Sequence, residues 1–364
     1  MRNGNPYLGG GRYIQNGGAS ALLGSELKRL GAKNAFMIGG KTALSITLGR
    51  IEGGLEKESV SYAIHEYSGH CSLEKCASLR AKAEAFGADI IVGIGGGKAL
   101  DTAKLVANDM GLGVVTIPTS AATCAAFAVL SVVYGENGDV LYSIFHDREV
   151  LAVLMDTDII VSGCPSRMLA SGIADAAAKY PEIAFSMDFA RDWEKSVLPS
   201  ASLAISKFTW DLFERKGAKA VTDVAAKRLS AEVEDSICAA VALTGTVSSL
   251  VSGGRQLAIA HTFYDGVCKH FKEHQKRFLH GEIVSAGILL QMHVNGAEQV
   301  ALDGARTFLR SLGTPVSLRD LDLEPSAANV DILYSYISAS MDLKEEWMTK
   351  RLRSGLEGVL SRKD

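Results

Sequence analysis

The sequence lacks an excess of either charge: 38 Lys and Arg stand against 41 Asp and Glu in 364 residues, a net charge of −3. That balance gives no strong attraction to nucleic acid or to an anionic membrane, so a small-molecule partner is expected. It lacks an uninterrupted apolar run long enough to span a bilayer. Met1-Arg2-Asn3-Gly4-Asn5-Pro6 contains no apolar leader segment, so the expected location is the cytoplasm. The six cysteines (Cys71, Cys76, Cys124, Cys164, Cys238 and Cys268) include no Cys-x-x-Cys pair, and their density is ordinary for a reducing compartment. No disulfide framework is expected. There is also no low-complexity linker and no internal repeat, and the length accommodates two domains with sizeable cores.

What is present centres on Ile90-Ile91-Val92-Gly93-Ile94-Gly95-Gly96-Gly97-Lys98-Ala99-Leu100-Asp101. A β-branched apolar run meets three glycines and then residues with helical apolar spacing, which reads as strand, tight turn and helix start. Glycines there let a ligand approach the backbone N–H groups at a helix N-terminus, an arrangement suited to a phosphate or pyrophosphate. Neither common phosphate fingerprint fits. The spacing before Gly97-Lys98 is one residue short of a P-loop and Ala99 offers no hydroxyl to magnesium, while Lys98 stands where a Rossmann Gly-x-Gly-x-x-Gly needs its last glycine.

Taken in order, Gly18–Leu30 reads as a helix and Ala35–Ile38 as a buried strand ending in Gly39-Gly40-Lys41. Strands and helices then alternate through Val60–Ile64, Leu73–Phe86, Ile90–Ile94, Lys98–Asn108 and Val114–Ile117, the pattern of a parallel α/β sheet. Ligands bind beyond the carboxyl ends of such strands, which places Gly39-Gly40-Lys41, Gly95-Gly96-Gly97 and Pro118-Thr119-Ser120 along one crevice. Val129–Tyr134 and Val140–Phe145 flank a turn at 135–139 and read as a hairpin, and Leu151–Met155 supplies a further strand. After Pro165 the pattern is almost wholly helical. The expected division is an α/β dinucleotide-binding domain over 1–162 and an all-α domain over 163–364.

Three polar residues stand out in the second part: Asp175 on a small, apolar helical surface, His261 after Leu257-Ala258-Ile259-Ala260, and His280 opening His280-Gly281-Glu282 before the apolar stretch Ile283–Met292. Two histidines and a carboxylate form a normal divalent-metal set with a position left open for substrate. Each taken singly also fits a satisfied helix residue, and Lys179, one turn after Asp175, could be its partner. His270-Phe271-Lys272-Glu273-His274 matches the His-x-x-Glu-His pattern of inverted zinc peptidases. Its surroundings of Lys269, Lys272, Lys276 and Arg277 instead suggest a charged, solvated connector and a chance match.

Several stretches, in their joint order, make nearly the whole chain resemble the glycerol dehydrogenase branch of the metal-dependent, iron-containing type alcohol dehydrogenases. They include Gly95–Lys104, Pro118–Thr123, Leu130–Tyr134, Asp156–Ile160, Gly172–Asp175 and His280-Gly281-Glu282. The resemblance implies a dehydroquinate synthase-like architecture, with metal and substrate in a cleft between a dinucleotide-binding and a helical domain. It implies metal ligation by Asp175, His261 and His280, which act catalytically through the metal. Cofactor contacts are implied at Gly96, Gly97 and Lys98 for pyrophosphate and at Thr119, Leu130 and Tyr134 for adenine and nicotinamide, with Gly40, Lys41, Gly95 and Asp101 also in the cofactor region. Asp101 is expected to order the glycine loop as well. The metal is expected to be zinc ahead of iron or nickel, the cofactor NAD or NADP, and the protein a homo-oligomer, a dimer or octamer.

Departures from the family pattern refine the expected reaction. Cys124 stands where glycerol dehydrogenases usually carry an aspartate that binds polyol hydroxyls, so a substrate-binding thiol there shifts the expectation toward small 2-oxo acids, as in a hydroxycarboxylate dehydrogenase branch. The strand before Gly39 ends without the acid that binds a ribose 2′-hydroxyl, and Lys41 could meet a 2′-phosphate. Tyr264 replaces a histidine common in glycerol dehydrogenases, and Pro181 is expected to end or kink its helix. The expected function is hydride transfer between NAD(P) and a small alcohol, polyol or 2-hydroxy acid. The alternatives are an NADPH-dependent 2-oxo acid reductase and a dehydroquinate synthase-like lyase, the latter needing a basic cluster near the triad that the sequence does not show.

Overall fold

A computed structural model describes residues 11–135, 138–188, 197–251 and 258–362. The N-terminal Met1–Pro6, Leu257 before His261, and Glu136-Asn137 at the expected hairpin turn lie outside the described residues. The chain divides into two compact units. One runs to Leu169 and takes back Thr222–Leu250, and the other comprises Ala170–Val221 and the chain from Val251 onward. A single boundary at 162/163 therefore does not describe the chain: the first transition lies a few residues later, and a helical segment returns to the α/β unit.

The α/β unit is built on a six-stranded sheet in which every pairing is parallel. Its strands are β1 (Arg12–Asn16), β2 (Asn34–Gly40), β3 (Ser61–Tyr67), β4 (Ile90–Gly95), β5 (Gly113–Pro118) and β8 (Ala152–Asp156), in the order β1-β8-β5-β4-β2-β3. β6 (Leu130–Tyr134) and β7 (Val140–Phe145) form the expected antiparallel hairpin. The helices are α1 (Leu23–Arg29), preceded by a 3₁₀ turn, α2 (Lys41–Lys57), α3 (Leu73–Phe86), α4 (Gly97–Met110) and the short α5 (Thr157–Gly163). β4 is buried at every position, as a central parallel strand covered on both faces should be. Leu23, Leu27, Ile51 and Leu55 pack with Met37, Val92, Ile94, Val115 and Leu154 in one core cluster.

The strand order reverses direction after β3, because the chain passes from that edge back across β2 to β4. β2 and β4 are thus neighbours at a topological switch point, with Gly39 in register with Ile94 and Gly95 in register with Pro118 of β5. Their carboxyl ends are where an open parallel sheet binds its ligand. In the returning segment, α8 (Ala231–Cys238) accepts at Glu234 O a 2.8 Å hydrogen bond from Gln15 Nε2 of β1. α9 (Thr244–Leu250) approaches Phe127 so closely at Gly245 that a Cβ there would lie 2.8 Å from the ring.

The helical unit contains most of α6 (Ser166–Asp188) and α7 (Val197–Ala225), with α10 (Ile259–His270), the short α11 (Lys272–Gln275), α12 (His280–Asn295), α13 (Gln299–Ser311), α14 (Ala327–Ser340) and α15 (Glu346–Ser354). α12 is buried on all sides from Gly281 to Gln291, as expected of a central helix that is apolar around its circumference. α6 continues through Pro181 to Asp188, so the expected termination there does not occur. The proline removes the donor to the Ala177 carbonyl one turn back, yet the helix runs on. Here Asn295 Nδ2 of α12 donates a 2.8 Å hydrogen bond to the Pro181 carbonyl. No helix among the described residues is long and apolar enough to cross a membrane.

Candidate active site

In the α/β unit the glycine turn has the form its sequence implies. Gly95 ends β4 at φ +143°, a backbone conformation favouring glycine, and a Cβ there would also press on Ala99 at 3.2 Å. Gly96 is the extended N-cap of α4 and supplies no side-chain cap, so the N–H groups of Gly97 and Lys98 are first-turn donors of the helix with no side chain to satisfy them from the cap. Gly93 lets α4 lie flat on β4: a Cβ there would meet Ala103 at 2.8 Å.

Of the other expected cofactor residues, Thr119, Gly40 and Tyr134 lie beside this turn, and Leu130 opens β6. The Thr119 N–H donates to Gly95 O at 3.0 Å, tying the end of β5 to the turn. Gly40 caps α2, also without a side-chain bond, and Lys41 is the exposed first residue of that helix. Tyr134 ends β6, and Lys98 Nζ lies 5.6 Å from its ring centroid. Cys124 opens a 3₁₀ turn capped by Thr123, whose Oγ1 would lie 3.2 Å from a Cβ on Gly97, so this loop borders the glycine turn. Asp101 has a different setting. It is buried, accepts the Val132 N–H at 3.1 Å and pairs with buried Lys104 at 2.9 Å. Lys104 also donates to the carbonyls of Ala128 and Leu130. Asp101 therefore ties α4 to β6, an ordering role.

In the helical unit Asp175, His261 and His280 come together. Asp175 Oδ1 lies 3.1 Å from Nε2 of His261 and 3.1 Å from Nε2 of His280. One ligand atom from each residue lies within 4.8 Å of the others. Donors held about 2.0–2.2 Å from one tetrahedral cation lie roughly 3.3–3.6 Å apart, so the two 3.1 Å separations need open by only a few tenths of an ångström to admit a divalent ion. Among the described residues no other such group of His, Cys, Asp and Glu converges. The His-x-x-Glu-His residues do not: Glu273 pairs with Lys276 at 2.7 Å, and Arg277 Nη2 lies 3.0 Å from His274 Nδ1.

The local fold explains the convergence. Asp175 sits on α6 among buried Ala174, Ala176, Ala177 and Ala178, small side chains that allow neighbouring helices close. His280 is the first residue of α12. The Gly281 N–H donates to Ser171 Oγ at 3.0 Å, and a Cβ on Gly281 would lie 1.8 Å from Ser171 O, so only glycine lets the start of α12 meet α6. Gly287 does the same for α10, since its Cβ would meet Ala260 O at 2.7 Å. Tyr264 packs edge-on to His280 with ring centroids 4.1 Å apart.

Glu182, which the sequence reading did not single out, completes the cluster. Seven residues after Asp175 on α6, it shares the inward face with Asp175 and is 1% exposed. Its Oε1 accepts from the His261 backbone N–H at 3.0 Å and faces Nδ1 at 2.8 Å. Burial opposes ionisation of Asp175, but His280 and His261 outweigh it and hold the carboxyl well below the usual carboxylate range. For His261, burial is outweighed by Glu182 and Asp175, pushing the imidazole up to about 9 in the protein alone. Asp265, one turn after His261, has its carboxyl pushed up by burial, which the two histidines partly offset.

A glycine turn at the switch point of a parallel sheet, in a chain that also gathers two histidines and an aspartate, is the make-up of a nucleotide-dependent dehydrogenase with a metal-capable centre. Residues 10–157 match the sequence signature of iron-containing alcohol dehydrogenases. The chain is 32% identical over 314 residues to glycerol dehydrogenase of Pseudomonas putida, covering 86% of this chain and 84% of that protein. It is 32% identical over 264 residues to hydroxycarboxylate dehydrogenase A of Escherichia coli K12, covering 71% and 69%. The crystal structure of a probable glycerol dehydrogenase from Sinorhizobium meliloti 1021 superposes with a TM-score of 0.83 at 26% identity, covering 97% of this chain and 98% of that one. The chain belongs to the iron-containing alcohol dehydrogenase family, and it is an NAD(P)-dependent oxidoreductase acting on CH–OH groups.

Proposed function

We propose that the protein transfers a hydride between NAD(P) and the carbinol carbon of a small alcohol with a neighbouring oxygen, a glycerol-type polyol or a 2-hydroxy acid. In this reading Asp175, His261 and His280 hold one divalent cation. The observation that carries it is the meeting of Asp175 Oδ1 with two imidazole Nε2 atoms, each at 3.1 Å. When bound, the cation supplies Lewis-acid stabilisation of a substrate oxygen and the dinucleotide supplies the hydride acceptor or donor. The three side chains leave a coordination position for the substrate, and the mixed nitrogen and oxygen set suits zinc, with iron or nickel also compatible. The N–H groups of Gly97 and Lys98 hold the pyrophosphate, while Thr119, Leu130 and Tyr134 border the rest of the dinucleotide.

Cys124 favours the 2-hydroxy acid within this class. A neutral thiol beside the glycine turn leaves a substrate carboxylate unopposed, and the match to hydroxycarboxylate dehydrogenase A supports that choice. Lys41, exposed at the start of α2, favours a cofactor carrying a 2′-phosphate. The test is the initial rate of NADH and NADPH oxidation by metal-supplemented protein with dihydroxyacetone and with 2-oxobutanoate. Faster turnover of 2-oxobutanoate with NADPH is expected. Faster turnover of dihydroxyacetone with NADH assigns the glycerol-type reaction instead, and turnover of neither overturns the substrate class.

A further inference from the structure

We infer that Glu182 is a positioning residue: it holds His261 in the tautomer whose Nε2 lone pair faces Asp175 and His280, and so sets the affinity of the cluster for a divalent cation. This rests on the metal reading above. An ionised carboxylate only accepts hydrogen bonds, so the ring nitrogen beside it keeps its proton, and the proton that an arriving cation displaces to solvent is the one on the opposite nitrogen, whose lone pair then faces the cluster. Glu182 Oε1 and Oε2 lie 2.8 and 2.9 Å from Nδ1, the nitrogen opposite the one that meets Asp175.

The same carboxylate takes the His261 backbone N–H at 3.0 Å, one of the first-turn donors of α10 without a helical partner. Ring and main chain of one residue are thus held by one side chain. The neighbouring first-turn donor, the Ile259 N–H, goes 2.7 Å to Gln291 Oε1 of α12. Gln291 Nε2 donates to Asn295 Oδ1 at 2.7 Å, and Asn295 in turn bonds the Pro181 carbonyl next to Glu182. This chain of amides fixes α6, α10 and α12 against one another around the acid. A helix start alone needs only a neutral oxygen such as that of Ser or Asn. A carboxylate 1% exposed is costly unless its charge has a use, and orienting and strengthening a metal-binding imidazole is such a use.

The experiment titrates Zn²⁺ against a competing chelator into the full, chelator-stripped protein, comparing wild type with Glu182→Gln, Glu182→Leu and Asp175→Asn, and records thermal unfolding of each metal-free protein. Glutamine keeps an oxygen for both N–H groups and loses the charge, so about tenfold weaker Zn²⁺ binding is expected; leucine loses both, and about 100-fold is expected. If the variants lower only the metal-free unfolding temperature and leave the Zn²⁺ dissociation constant unchanged, the positioning role is overturned. Wild type that binds no Zn²⁺, or Asp175→Asn that binds it as well as wild type, overturns the metal reading itself and this role with it.

Discussion

Asp175 and His261 are visible in the sequence because each is a polar residue among small or apolar helical neighbours, where a partner or a ligand makes burial tolerable, and His280 because it opens an apolar helix. Substituting Asp175 by Asn keeps its size and removes the anion. Zinc content by elemental analysis after reconstitution should fall from one per chain to near zero in Asp175→Asn and stay unchanged in His270→Ala, whose residue lies outside the cluster. Glu182 is hidden in the sequence because it follows Pro181: a helix expected to end or kink there need not carry the face of Asp175 seven residues further. The tertiary bond from Asn295 to the Pro181 carbonyl is the kind of context that local propensity omits. The role of Gly281 was likewise hidden, since a glycine beside a helix start has many uses. With Ser171 O in the way, Gly281→Ala should cost about 3 kcal/mol in urea unfolding and weaken metal binding with it.

At the scale of elements, β4, the glycine turn and α4 follow from the local order of residues, because a β-branched apolar run, a glycine cluster and helical apolar spacing each leave a distinct pattern. Gly95→Ala should weaken NADH or NADPH binding, read by quenching of protein fluorescence, by tenfold or more while leaving Zn²⁺ stoichiometry intact, since L side chains avoid its φ of +143°. β1 escaped the sequence reading because Arg12-Tyr13-Ile14-Gln15-Asn16 has no apolar run; its place is set by pairing with β8, a contact far away in sequence. Asp101, expected to touch cofactor and to order the glycine loop, instead accepts the Val132 N–H and pairs with Lys104, so what it ties together is α4 and β6. Lys104→Met, which leaves the Asp101 carboxylate buried without its cation, should destabilise the protein by about 3–5 kcal/mol in a denaturant titration.

Across the whole molecule, the alternation of strands and helices followed by helices alone conveys a parallel α/β unit and a helical unit, because the periodicities of strand and helix differ. It does not convey which core a helix serves. Thr222–Leu250 has the same helical texture as its flanks, yet it packs with β1 and the loop carrying Phe127, contacts between residues more than a hundred positions apart. The metal cluster belongs entirely to one unit and the glycine turn to the other. Thermal unfolding should therefore separate them: Zn²⁺ at a hundredfold excess over its dissociation constant should stabilise wild type by about 2.7 kcal/mol and Asp175→Asn by nothing, while the shift caused by NAD(P)H persists in both. The most direct test of the account is a titration of chelator-stripped protein with Zn²⁺ while dinucleotide-dependent reduction of 2-oxobutanoate and of dihydroxyacetone is followed. The rate with the preferred substrate should rise from near zero to a plateau at one Zn²⁺ per chain in wild type and stay near zero in Asp175→Asn. A stripped protein that turns over at full rate, or an Asp175→Asn protein as active as wild type, would contradict it.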